Sequence, residues 1–201
     1  KEHPEISIRL MNLSTKAALS MLSLSPIKPM ASVCWWHLIT DSSSLNSNQT
    51  GWKVSPSLGS SRDRRALIQG LSRGIITAVS VHAIPLDEEE SMLPPDLRMP
   101  GISGHQLVLP LLWKELVINQ GWPIEKLWNV LSFGPSRMLS VKEESLKKGS
   151  RRWLLFDPEK KWIHKRPTKA SPYCANQPMY GEEILGKVVN CGLQNQVNPS
   201  D

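Results

Sequence analysis

Phenylalanine and tyrosine are scarce in this 201-residue sequence, two of each, and cysteine occurs three times. The cysteines, Cys34, Cys174 and Cys191, are far apart and form no Cys-x-x-Cys pair. That spacing excludes a disulfide framework and a cysteine-built zinc cluster, and it suits reduced thiols in a cytoplasm. No run approaches the roughly eighteen apolar residues that a membrane-spanning helix needs, so no membrane partner is expected. The first residues, Lys-Glu-His-Pro, offer neither a hydrophobic signal core nor an initiating Met, and the chain reads as soluble and truncated.

What is present is an ordinary globular composition, 40% hydrophobic and 21% charged, enough for one substantial core. The net charge of +6 raises the question of nucleic acid. Its distribution answers no, because the basic stretches at 147–152 and 160–166 stand beside Glu143, Glu144, Asp157 and Glu159, as in solvated loops. The acidic run Asp87-Glu88-Glu89-Glu90 reads in the same way, as a solvated loop rather than a cation site. Eight tryptophans are spread without the spacing of a stacking platform and read as packing residues.

Apolar runs at 6–13, 30–36 and 75–81 have strand length. Between them, Thr15 to Ser23 and the segment after Ser60 or Ser61 carry helix caps and apolar faces, and Gly74 suits a helix stop. Strand, helix, strand, helix, strand predicts an α/β protein with a parallel sheet. Asp87 to Arg98 reads as a polar loop, 104–119 as a helix, and Pro123 as the start of another. Two short strands, 153–157 and 184–189, complete the pattern.

In order along the chain, Leu10-Met-Asn-Leu-Ser-Thr15, Ser32-Val-Cys-Trp-Trp-His37-Leu38, Lys53-Val-Ser-Pro-Ser-Leu58, Gly74-Ile-Ile-Thr-Ala-Val79, Pro100-Gly-Ile-Ser-Gly104, Gly134-Pro-Ser-Arg-Met-Leu139 and Asn176-Gln-Pro-Met-Tyr-Gly181 resemble segments of the dihydroorotase family, of the amidohydrolase superfamily. The resemblance implies an α/β fold: the C-terminal part of a (β/α)8 barrel over 1–140, with 141–201 packing as terminal strands with a small β side domain. Three βα units cannot close a barrel that usually takes about 250 residues, so its first half is expected to lie outside this chain.

Dihydroorotases interconvert carbamoyl aspartate and dihydroorotate using zinc-bound hydroxide and a carboxylate that moves protons. By resemblance, Asn12 stands where the family has a metal-binding His, and an amide oxygen is a poor zinc ligand. The family's catalytic Asp falls on His82 or on Val81, depending on the alignment of the following Pro and His-Ala. His37 matches the second His of a His-His pair and Trp36 replaces the first. The resemblance places Lys53, Ser55, Pro56, Pro100 and Gly101 in the substrate pocket. It therefore implies a catalytically impaired, structural dihydroorotase-like protein of pyrimidine biosynthesis, with no cofactor expected in this chain although active relatives use zinc. Aspartate carbamoyltransferase and further copies of the chain are the expected partners. The alternative is an active metal-dependent amidohydrolase whose N-terminal half is supplied from outside this chain.

Overall fold

A computed structural model describes residues 6–45, 52–94, 96–166 and 174–192. Three parallel strands form the first sheet: β1 (Arg9–Leu10), β2 (Met30–Cys34) and β3 (Ala78–Ser80), in the order β1-β2-β3. Arg9 lies opposite Met30, and Val33 lies opposite Val79. The apolar run 6–13 pairs over two residues only, and 75–81 over three. The centre is β2, whose Ala31, Val33 and Cys34 are fully buried, as a strand covered on both faces requires.

Right after β2 the chain departs from the strand expected to run through Trp36. Trp36–Ile39 is a short helix, α2. It places Trp35, Trp36 and Leu38 in the core, because a helical turn at the strand end aims several large side chains inward where an extended strand would alternate them.

The connecting helices are specified locally. Helix α1 (Lys16–Leu24) is capped by Thr15 Oγ1, which accepts from Ala18 N. Helix α3 (Ser61–Ser72) opens on a capping box in which Ser60 and Asp63 exchange side-chain and backbone hydrogen bonds. Asp63 Oδ1 also accepts from Lys16 N at 2.8 Å, so one carboxylate fixes the start of two helices. Gly74, at φ +73°, turns the chain from α3 toward β3.

The segment expected as a polar loop contains a helix, α4 (Glu88–Met92), capped by Asp87 through a second capping box with Glu90. The acidic run is thus a helix first turn, where negative side chains meet unpaired backbone N–H groups. Helix α5 (His105–Leu112) continues as a wider π-helical stretch, Trp113–Asn119. Helix α6 (Ile124–Trp128) follows Pro123, widens likewise over Asn129–Phe133, and leads into α7 (Gly134–Met138). Gly134 is required where it is: a Cβ there would stand 2.1 Å from the Thr77 carbonyl oxygen.

The last two strands, β4 (Leu154–Ile163) and β5 (Glu183–Cys191), are longer than their apolar runs suggest and form an antiparallel pair. The pair packs on α5 and its extension through Ile184, Phe156 and Trp162, with the Phe156 and Trp113 rings 5.2 Å apart. Among the described residues no helix is long and apolar enough to cross a membrane.

Candidate functional site at the strand ends

In a parallel βα sheet, chemistry gathers at the C-terminal ends of the strands, where loops from neighbouring units converge. Three residues meet there. Asn12 follows β1 in the left-handed region, φ 57°, a conformation that Asn tolerates better than most residues. Its backbone N–H donates to Ser32 Oγ on β2 at 3.2 Å, and its side-chain Oδ1 accepts from Ser80 Oγ at the end of β3 at 2.6 Å. The amide oxygen at the expected ligand position is therefore engaged by a hydroxyl of the same sheet. No sequence pattern marks Ser32 and Ser80 as site residues, since both are small hydroxyls within strand-forming runs, Ser80 at the end of β3 and Ser32 two residues before the end of β2.

His82, two residues beyond β3, is exposed and edge-on to Trp36, with ring centroids 6.5 Å apart. Cys34, at the end of β2, is buried, and burial pushes its thiol up to about 11, against smaller opposing contributions from hydrogen bonds that include Ser80. Cys34 is accordingly a protonated core thiol at neutral pH. His37 is also buried, its Nε2 lying 3.3 Å from the Ser57 carbonyl oxygen. Burial holds its pKa below the usual 6.5, although the Ser57 and Pro56 carbonyls work in the opposite direction.

The expected pocket residues fall in two groups. Pro56, which follows Ser55 through a cis peptide bond, presents its backbone to His37. Lys53 belongs with the Pro100-Gly101 loop: Gly101 N donates to the Lys53 carbonyl at 2.8 Å, and Lys53 Nζ donates to the Arg98 carbonyl. Asn176, buried, organises this loop. Its Oδ1 accepts from Leu86 N at 2.9 Å, and its Nδ2 donates to the carbonyls of Ile84 at 2.7 Å and Gly101 at 3.1 Å. Gly101 has no room for a side chain, since a Cβ would meet that of Ile84 at 2.5 Å.

These residues do not fit a zinc ion by themselves. Zinc is held by imidazole, thiolate or carboxylate. At the strand ends the amide of Asn12 is bonded to Ser80, and among the described residues no three His, Cys, Asp or Glu side chains are grouped so as to hold a metal.

The fold is shared with solved structures of dihydroorotases and D-hydantoinases. Superposition on the dihydroorotase of Saccharomyces cerevisiae in complex with 5-fluoroorotic acid gives a TM-score of 0.74 at 13% identity, covering 93% of this chain and 52% of that one. The inactive dihydroorotase-like domain of the CAD-like multifunctional protein of Chaetomium thermophilum gives 0.62 at 18% identity, covering 92% of this chain and 48% of that one. In sequence, the chain is 31% identical over 199 residues to a probable dihydroorotase-like protein of Synechocystis, covering 93% of this chain and 44% of that protein. It is 32% identical over 190 residues to the dihydroorotase of Aquifex aeolicus, covering 90% and 43%. No protein-family model matches the chain. The chain is homologous to the C-terminal part of the dihydroorotase family, and it spans less than half the length of the curated relatives it matches.

Proposed function

We propose that this chain is the closing portion of a dihydroorotase-like (β/α)8 barrel of pyrimidine biosynthesis that no longer hydrolyses a cyclic amide and serves assembly instead. In this reading, residues 1–140 supply the last βα units, and 141–201 supply the strands that pack with a small β side domain. The observation that carries it is the 2.6 Å hydrogen bond from Ser80 Oγ to Asn12 Oδ1. A strand-end position that binds metal in active members of the family here carries an amide, a poorer zinc ligand than imidazole, whose oxygen already accepts from a hydroxyl, and diverting it to a cation would cost that hydrogen bond. His82 stands at or next to the catalytic Asp position and offers an imidazole where the family's chemistry uses a carboxylate. By resemblance, Lys53, Ser55, Pro56, Pro100 and Gly101 stand at ring-binding positions of the family, without the groups that would attack the ring.

A structural neighbour that is an inactive dihydroorotase-like domain of a multifunctional protein supports a non-catalytic role for such a fold. The partner we propose is aspartate carbamoyltransferase, with self-association as the second mode of assembly. The test is zinc content and dihydroorotate hydrolysis measured on the full-length protein, followed by co-purification with aspartate carbamoyltransferase. The expected result is no turnover above the uncatalysed rate and a stable complex. Stoichiometric zinc together with turnover would overturn the reading and would mean that the site has been rebuilt around His82.

A further inference from the structure

Along α1 and α3 runs a groove made of two adjoining hollows of about 350 and 510 Å³, which share Ser23, Arg73 and Ile75. Leu24, 84% accessible, gives it an apolar wall together with Ile75 and Met30. Its unmatched charge is of one sign. Lys28 and Arg73 line it, Arg62 stands one turn before Ala66 on the same face of α3, and none of the three forms an ion pair among the described residues. Lys16 at the far end adds nothing to this excess, because Asp63 lies beside it.

A surface of opposite charge and the same apolar character lies elsewhere on the chain. Glu88 and Glu89 on α4 are exposed and form no ion pair among the described residues, and Met92 and Leu93 beside them are 79% and 44% accessible. Large apolar side chains grouped in water next to charge of one sign mark a contact surface. The two surfaces are kept apart within one molecule. The groove reaches Met30 and Thr77, at the entrances to β2 and β3, whereas α4 follows the exit of β3, and parallel strands place entrances and exits at opposite ends of the sheet. Exposed ion pairs contribute little affinity one by one, but complementary patches set partner and register while the apolar contact holds the pair together.

We propose that the α1–α3 groove is the docking surface for α4 of a second copy of this chain, with Glu88 and Glu89 set against Lys28, Arg62 and Arg73, and Met92 and Leu93 against Leu24 and Ile75. It gives a surface to the self-association advanced above and rests on that reading. Because the two patches differ, copies join head to tail, and the assembly grows past the dimer or closes into a ring. The experiment is sedimentation velocity of the full-length protein over a range of concentrations and of potassium chloride. Association beyond the dimer is expected, weakening as salt screens the charges. Leu24→Asp and Met92→Asp, both at exposed positions, should each leave a monomer, and mixing the two variants should give a one-to-one pair and nothing larger, since one retains the helix and the other the groove. That pairing also shows that both variants are folded. Arg73→Glu should weaken association about tenfold or more, as like charges brought together do, and adding Glu89→Arg to the same chain should restore it. A protein that stays monomeric, whatever acidic partner or anionic vesicle its groove then binds, would overturn the proposal, as would variants that fail to pair on mixing. Association indifferent to both aspartate substitutions would overturn this interface while leaving self-association standing.

Discussion

The two sheets of this chain bury themselves in opposite ways. In the parallel sheet the middle strand β2 is buried from Ala31 to Cys34, whereas β1 beside it is exposed, with Leu10 38% accessible and Met11, just beyond the strand, 68%. The β4–β5 pair turns Ile184 and Phe156 toward α5 and leaves Val188 and Val189 largely in water. A two-strand antiparallel ribbon can be finished with one wet face, but a parallel sheet needs cover on both faces and neighbours at its edges. The ribbon can hold its form with one face wet, whereas the parallel sheet presents surface that suits further strands.

The sharpest way to break this comparison is to place the same charge in each sheet. Val33→Asp in β2 should cost about 4 kcal/mol or more, the penalty of an unpaired buried carboxylate, and should abolish a cooperative urea transition. Val188→Asp in β5, where the side chain is 38% accessible, should lower the unfolding free energy from urea titration by no more than about 0.5 kcal/mol. Asn176→Ala comes next. It strands one N–H and two carbonyls around the Gly101 loop and should cost about 2–3 kcal/mol by the same measurement.

A smaller effect distinguishes the layers by pH. His37, beneath the parallel sheet, and His164, under the ribbon, both titrate below the usual 6.5 because they are buried. The unfolded chain therefore binds more protons than the folded one in the interval beneath 6.5. Stability should be fully present above 6.5 and should decline as pH falls below it, levelling off once the folded histidines are themselves protonated. His164→Gln should flatten part of that decline in urea midpoints taken from pH 7 to 5, with the remainder belonging to His37. The smallest change expected is Lys161→Gln on the ribbon, whose pairing with Glu183 at 3.0 Å is well exposed on both sides and should contribute less than about 0.5 kcal/mol.

Local signals account for most of what could be read from the residues. The caps at Thr15 and Ser60, the Gly74 stop and the order of three parallel strands follow from short-range chemistry and apolar length. Trp36 reads as strand but lies in a helix, because an apolar run does not reveal its period when nearly every residue in it is buried. The helix over Glu88–Met92 was hidden for the opposite reason: its stability comes from an Asp87 and Glu90 capping box within a run of charge that also describes a loop. At the site, Asn12 and His82 were legible through resemblance, whereas the roles of Ser32, Ser80 and Asn176 depend on partners 20 to 92 residues away, which no local pattern encodes.

The Arg9 side chain extends from the open edge strand to the Met138 carbonyl and, at 2.7 Å, to Ser140 Oγ, across 129 and 131 positions of sequence. On a ribosome that order matters. β1 is made 129 residues before the carbonyl that anchors the Arg9 side chain, so that contact must wait while the whole intervening segment is synthesised. Contacts of such long range are the slowest to form and the most vulnerable to wrong partners in the interval.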